Sequence, residues 1–289
     1  MASEEKAGSV RALVQRRDGS EESFGEDALV VEEPLEVRVG EEAGDPVRLL
    51  VTMRTPGQDE DLAAGLLFSE GVIESPEEIL GFSRPDDPSL APELARNVLI
   101  ARLAPCRGGR RLTLRHGGYV SSACGVCGDL SIGEVAERAA AARRRSRDED
   151  REGPVVAASL LSALPDALRR EQALFRSTGG LHAAGLFEED GRAAVVREDV
   201  GRHNATDKSI GACLRERRPV PPILLVSGRL GFEIAQKAAL AGVRILCSVS
   251  APTSLAVELS EETGMTVVGF LRGERFNVYT HPARVRAGG

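Results

Sequence analysis

Two thiols three residues apart, Cys124 and Cys127, stand in a run where Gly117, Gly118, Gly125 and Gly128 recur. Glycine this dense favours an open loop over a regular element, which would let both sulfurs reach outward. Four chemistries compete for the pair. A structural zinc centre needs a second pair of ligands, and Cys106, Cys213 and Cys247 each stand alone. A thioredoxin-type redox pair has this tetrapeptide spacing, but no clear strand precedes it here. A zinc deaminase pair requires an upstream His-x-Glu and a proline before the first cysteine, whereas His116 is followed by two glycines and Cys124 by neither rule. A sulfur carrier needs one exposed thiolate that accepts a sulfane sulfur by exchange and gives it up again, a task that a loop suits.

The other chemistry-bearing residues gather where strands of the second half should end. The strand expected at Ala194 to Arg197 runs into Glu198-Asp199-Val200-Gly201-Arg202-His203-Asn204, and the one at Ile223 to Val226 into Ser227-Gly228-Arg229. A third, Val243 to Val249, leads to Ser250-Ala251-Pro252-Thr253-Ser254, and a fourth, Thr266 to Phe270, to Leu271-Arg272-Gly273-Glu274-Arg275. Glycines, hydroxyls and basic side chains at strand ends and helix starts are the inventory for an oxyanion. Arg202, Lys208, Arg229, Arg272 and Arg275 are the charges available to such a ligand. His203, in a polar loop at a helix start, is read as a ligand contact or catalyst; His182 is read as a structural histidine and given no role.

The elements that must position these groups follow from periodicity. The second half alternates strand and helix: strands Ala183 to Leu186 and Ala194 to Arg197, helix Asn204 to Leu214, strand Ile223 to Val226, helix Phe232 to Ala241, strand Val243 to Val249, helix Leu255 to Glu262 and strand Thr266 to Phe270. That order predicts an α/β layered sheet with helices on both faces. The first half reads as α+β, a smaller mixed domain. Its strands fall at Leu35 to Val39, Val47 to Met53, Asn97 to Leu103 and Arg111 to Leu114. A helix covers Glu60 to Glu70, with Leu62, Ala63, Leu66 and Leu67 on one face. A further helix is expected from Glu134 to about Arg145, and one from Ser159 to Arg170 broken at Pro165. The expected domains are a flexible arm over 1–28 with one strand at Val10 to Gln15, an N-terminal domain over 29–140, a charged linker over 141–154 and a C-terminal domain over 155–289.

Composition narrows the partners. The 289 residues are 42% hydrophobic and carry a net charge of -7, which argues against a general attraction to nucleic acid or anionic membrane. Trp is absent and Tyr occurs twice, so stacking on single strands is disfavoured. No apolar run approaches the roughly 18 to 20 residues of a membrane span, and the polar N-terminus lacks a signal-peptide core; a cytoplasmic location is expected.

Six ordered segments together resemble the FdhD/NarQ formate dehydrogenase accessory proteins. They are Leu66-Leu67-Phe68-Ser69-Glu70-Gly71-Val72-Ile73, Cys124-Gly125-Val126-Cys127-Gly128, Thr178-Gly179-Gly180-Leu181-His182-Ala183-Ala184, the run from Glu198 to Lys208, Val226-Ser227-Gly228-Arg229, and Val267-Val268-Gly269-Phe270 through Tyr279-Thr280-His281-Pro282. The resemblance implies a sulfurtransferase that takes sulfur as a persulfide from a cysteine desulfurase. It would pass that sulfur to the molybdenum bis-guanine-dinucleotide cofactor of a formate dehydrogenase, bound as cargo. It further implies that Cys124 bears the persulfide with Cys127 as partner, that Phe270, Leu271, Arg272, Gly273, Glu274 and Arg275 lie on the cofactor-binding segment, that the second domain has a cytidine-deaminase-like fold, and that the chain forms a homodimer. The deaminase zinc signature is missing, so the resemblance implies that fold without deamination, and with Cys106, Cys213 and Cys247 each alone no structural metal is expected. Two rival functions remain: a cofactor-binding chaperone, and a disulfide oxidoreductase using the cysteine pair.

Overall fold

In the computed structural model, residues 8–41, 44–86, 89, 91–105, 119–120, 131–145 and 153–287 are described. Cys106, Cys124, Cys127 and the strand expected at Arg111 to Leu114 lie outside them, as do 146–152 of the expected linker. Two sheets organise the molecule, one from each half of the chain.

The chain opens with β1 (Ser9–Asp18) and β2 (Glu21–Val30), an antiparallel hairpin in unbroken register from Ser9↔Val30 to Asp18↔Glu21. A flexible arm with a single strand was expected here; the arm is a two-stranded ribbon. Gly19, at φ 61, supplies the left-handed turn between the strands. Cross-strand pairs Arg11–Glu26 and Arg17–Glu22 hold the ribbon. The second strand escapes sequence detection because both faces are wet, so no apolar alternation marks it.

The first large sheet has the order β5-β6-β3-β4-β7, built from β3 (Glu33–Glu41), β4 (Val47–Arg54), β5 (Ile79–Ser83), β6 (Val98–Leu103) and β7 (Tyr119–Val120). Between its strands come α1 (Asp59–Ser69) and a short turn of helix, α2 (Pro92–Ala95). Leu35, Val37, Val39, Leu62, Leu66 and Leu67 form its core. The expected one-sided α1 is buried on more than one side, since Asp61, Ala64, Gly65 and Ser69 are covered as well.

The second sheet has the order β10-β9-β11-β12-β13-β14. After α3 (Ile132–Arg145) and β8 (Val156–Ala157) come α4 (Ala158–Glu171), α5 (Ala173–Thr178), β9 (His182–Phe187), β10 (Ala193–Asp199), α6 (Arg202–Arg215) and β11 (Ile223–Val226). Then follow α7 (Phe232–Leu240), β12 (Ile245–Ser248), α8 (Ser254–Glu262), β13 (Thr266–Arg272), β14 (Arg275–Val278) and β15 (Val285–Arg286), which pairs with β8. Strands β11, β12 and β13 run parallel, while β9 is antiparallel to β11 and β10 antiparallel to β9. Alternate residues along one strand face opposite helix layers, as period two requires. Leu224 and Val226 join α6, α7 and α8 in one core, and Ile223 and Leu225 join Leu161, Leu164 and Leu168 of α4 in the other. The whole is a mixed α/β fold.

One expectation needs correction. The helix through Pro165 is continuous, because the buried stripe Leu161, Leu164 and Leu168 clamps it to the sheet, each leucine contributing about 1.5–3 kcal/mol. That outweighs the one backbone bond lost at proline. The helix expected from Glu134 to about Arg145 is present as α3, and its Val135 and Ala139 sit in the second sheet's core.

The halves are welded at α1 and α6. A Cβ on Gly65 would run into the backbone of Asp207, and one on Gly211 into the backbone of Asp61. Glycine at both positions is what lets the two backbones touch. Around that crossing, Asp61 pairs with Arg197 and Arg215, and Lys237 bridges Asp207 and Ser69. Among the described residues no helix is long and apolar enough to cross a membrane.

Candidate functional site

Strand direction decides which ends share an edge. Because β9 is antiparallel to β11, its first residue lies beside the last residues of β11, and the end of β10 lies beside both. Asp199 is thus registered opposite His182, and Ser227 exchanges bonds with Ala183: Ser227 N donates to Ala183 O at 2.9 Å, and Ala183 N to Ser227 Oγ at 2.9 Å. The end of β12 is tied in through Ser248 Oγ, which donates to Gly228 O at 2.7 Å. Phe270 N donates to Ser250 O at 3.0 Å and Arg272 Nε to Val249 O at 3.2 Å, adding β13 to the edge.

Gly228 is the close-approach point. A Cβ there would meet the His182 ring at 3.2 Å and Arg202 Cδ at 3.4 Å. His182 Nδ1 lies 3.5 Å from Ser227 Oγ. Arg202, half-buried as the first residue of α6, has a buried Nε without a hydrogen-bond partner. Burial, and then the nearby Arg229 guanidinium, lower its affinity for its own proton. Arg229 is exposed. Two guanidiniums near enough to repel each other, at the positive end of a fourteen-residue helix whose Gly201 cap makes no side-chain hydrogen bond, are the charges an anion would need there.

The histidines beside it are held neutral. Burial drives His203 down to about 3, with Arg202, Lys237 and His182 adding to the effect; His182 is lowered by burial and then by Arg202. His203 Nε2 lies 3.3 Å from Glu233 Oε2. Both rings are therefore held in the neutral form.

The strand-end residues read from sequence divide into three groups. Arg202, His203, Ser227 and Arg229 come together at the α6 end, with His182, which sequence left without a role, at their centre. Phe270, Arg272, Gly273, Glu274 and Arg275 are exposed at the β13–β14 end, two strand spacings of about 4.8 Å each from β11. Phe270 holds φ 54, a conformation rare for a bulky residue, at the bulge between Gly269 and Arg272. Two residues do not reach the surface. Leu271 is fully buried in the core on the α4 face, where strand alternation turns it inward. Lys208 is fully buried too, its three protons committed to Asp199 Oδ2 at 2.7 Å, Thr55 O at 2.8 Å and Glu198 O at 3.4 Å.

The family model described as FdhD/NarQ family matches residues 30–286. The chain belongs to the FdhD/NarQ family. A relative from Mycolicibacterium paratuberculosis, "Sulfur carrier protein FdhD", is 47% identical over 262 residues, covering 90% of this chain and 92% of the relative. One of the same name from Streptomyces coelicolor is 45% identical over 278 residues, covering 95% and 94%. The crystal structure of a formate dehydrogenase accessory protein from Desulfotalea psychrophila superposes with a TM-score of 0.67 at 22% identity, covering 96% of this chain and all of the other, which places the family fold.

Cys124 and Cys127 lie outside the described residues, but residues on either side of them have partners. β7 pairs in parallel with β4, Val51↔Tyr119 and Thr52↔Val120. On the far side Ser131 caps α3, accepting from Glu134 N at 3.3 Å while Glu134 Oε2 accepts from Ser131 N at 2.7 Å. Thr52, beside Val120, hydrogen-bonds Asn204 in the first turn of α6. The entry to the cysteine segment therefore stands next to the head of the helix that carries Arg202 and His203.

Proposed function

We propose that this protein is a sulfur carrier, a sulfurtransferase that takes sulfur from a cysteine desulfurase onto Cys124 and delivers it to the molybdenum bis-guanine-dinucleotide cofactor destined for a formate dehydrogenase. The observation that carries the reading is the pairing of Thr52 with Val120 beside Asn204. Four residues on from Val120, Cys124 has its Cα within roughly 14 Å of that of Val120 whatever path the chain takes. A thiol and an anion site are thereby tethered to one point of the fold. The names of the relatives from Mycolicibacterium paratuberculosis and Streptomyces coelicolor favour the same activity.

In the first step the Cys124 thiolate attacks the outer sulfur of the donor's persulfide. The donor's S–S bond breaks, its thiolate leaves, and a persulfide forms on Cys124. In the second, the S–S bond of that persulfide breaks, its electron pair stays on the regenerated Cys124 thiolate, and the outer sulfur leaves at the sulfane level to the bound cofactor, which as acceptor would supply the two electrons that bring it to sulfide. Cys127 is the neighbouring thiol able to assist either exchange. The strand-end edge suits the cargo: Arg202 and Arg229 would take phosphate at the α6 end, and Phe270, Arg272 and Arg275 the far portion of a long dinucleotide. The protein would act as a homodimer in the cytoplasm.

Incubation with a desulfurase and cysteine should add about 32 Da, one sulfur atom, to the Cys124 peptide in mass spectra. Cys124→Ala should abolish formate dehydrogenase activity in cells lacking their own copy. Full activity in that variant would sink the carrier role. Cofactor binding without any mass gain would leave a binding chaperone, and a reversible Cys124 to Cys127 disulfide cycling with thioredoxin would make the pair a redox centre.

A further inference from the structure

Where the end of β4 crosses the head of α6, polar side chains are packed at a density unusual for an interior. Asp199 and Lys208 are fully buried, and Thr52, Thr55 and Asn204 are at most 3% exposed. Asn204 Nδ2 donates to Met53 O at 2.7 Å and to Asp199 Oδ1 at 3.2 Å, while its Oδ1 accepts from Thr52 Oγ1 at 3.4 Å. Asp199 accepts from Thr55 N at 3.1 Å, from Gly201 N at 2.9 Å and from Lys208 Nζ at 2.7 Å. Val200 N donates to Thr55 Oγ1 at 3.2 Å, and Lys208 Nζ to Thr55 O at 2.8 Å.

Adhesion does not require this. The two halves already meet through the Gly65–Gly211 crossing, and an apolar contact would hold them without the cost of desolvating an ion pair. What a fully satisfied polar network adds is a single register between the parts it joins. Here those parts are specific. On one side is Thr52, whose backbone is paired to Val120 at the entry to the cysteine segment; on the other is the Asp199–Gly201–Arg202 turn that presents the anion site.

We infer that Asn204, backed by Asp199 and Lys208, is a positioning residue that fixes the entry strand of the cysteine segment against the Arg202–Arg229 anion site and so sets the delivery of sulfur rather than its loading. The delivery half rests on the carrier reading. The fixed separation does not.

The test uses the full chain with Cys106 and Cys127 replaced by Ser, one nitroxide on Cys124 and a second on Leu255→Cys, an exposed position at the start of α8. Cys213 and Cys247 are buried and stay unlabelled. In Asn204→Ala, and more mildly in Thr52→Val, the pulsed-EPR distance distribution should broaden. In the unlabelled chain with its native cysteines, the same variants should load sulfur on Cys124 and bind guanosine diphosphate as the parent does, yet activate formate dehydrogenase about tenfold less or worse, the scale at which misplacement of a reacting group is felt. Ser209→Ala is the control, since it removes buried bonds to Ala184 O and Ala205 O on the same helix but touches no part of β4. It should lower the melting temperature and leave distance and delivery alone.

A distance distribution in Asn204→Ala that overlays the parent's would overturn the inference, as would a loss of delivery in Ser209→Ala matching that in Asn204→Ala. Should Asn204→Ala fail to fold, Thr52→Val decides by the same two readouts. Should the parent never acquire sulfur, the carrier reading falls and the distance comparison still decides the role of Asn204.

Discussion

Two pairs of cations lie within a few turns of one another on α6 and its neighbours, and they are used in opposite ways. Lys208 and Lys237 are buried and neutralised, the first by Asp199 at 2.7 Å and the second by Asp207 at 2.9 Å and Ser69 at 2.9 Å. Arg202 and Arg229 lie near enough at the strand-end edge to repel each other, and the buried Nε of Arg202 has no hydrogen-bond partner. The lysines hold the first half of the chain to the second through Thr55 and Ser69. The arginines leave positive charge unspent at a helix N-terminus. Charge at a strand end thus marks a candidate binding group only where no ion pair takes it up.

The largest expected effect separates the two pairs outright. Lys208→Met strands the Asp199 carboxylate in the interior and should cost about 3–5 kcal/mol in urea unfolding, whereas Arg229→Met, at an exposed site, should stay within about 0.5 kcal/mol of the parent. Equal losses in both would erase the distinction.

Much of the fold, and part of the site, could be read from sequence for identifiable reasons. Continuous apolar runs such as Ile223–Val226 mark strands covered on both faces, and the polar residues that follow them fall on one edge as expected. Lys208 was misread because six residues at 100° each carry it about 240° around α6 from Arg202, onto the covered side. Its partner Asp199 precedes the helix in another element, and nothing local announces the pairing. His182 was passed over because its place depends on β9 running against β11, a direction that the string His182-Ala183-Ala184-Gly185 does not encode. Leu271 was carried along with its neighbours, although period two turns it to the core.

A second break targets the weld on which the buried pairs depend. Gly65→Ala or Gly211→Ala drives a methyl into the facing helix backbone, and backbone cannot yield as a side chain end can. Each should lose about 1–3 kcal/mol or more by chemical denaturation. Gly44→Ala, with open space around its Cβ, serves as the neutral comparison.

The third effect is a pH dependence that belongs to the boundary between the two cation pairs. His203 lies between Arg202 and Lys237 and faces Glu233, and its folded value near 3 is far below the ordinary 6.5. As pH falls below 6.5 the unfolded chain takes up a proton that the folded one refuses. Stability is therefore fully present above 6.5 and declines as pH drops toward 3, by at most about 1.4 kcal/mol per unit from this group. His182, lowered by burial and by Arg202, acts in the same direction. His203→Gln should flatten the fall in urea midpoint between pH 7 and 5; an unchanged slope would mean that the imidazole is not held neutral by its surroundings.

The smallest effect on stability carries the sharpest statement about the open pair. Arg202 is half-buried with its Nε enclosed, so a phosphate there is met in a site that water screens poorly; Arg229 is exposed and screened. Arg202→Met should therefore leave the melting temperature nearly unchanged while weakening guanosine diphosphate by about 1.5–3 kcal/mol in calorimetric titration, the worth of a charge-assisted bond. Arg229→Met should weaken it less, and its contribution should fade first as salt is raised. Were the two variants to lose affinity equally at low and high salt, burial would not be what distinguishes them, and the anion would sit away from the enclosed Nε of Arg202.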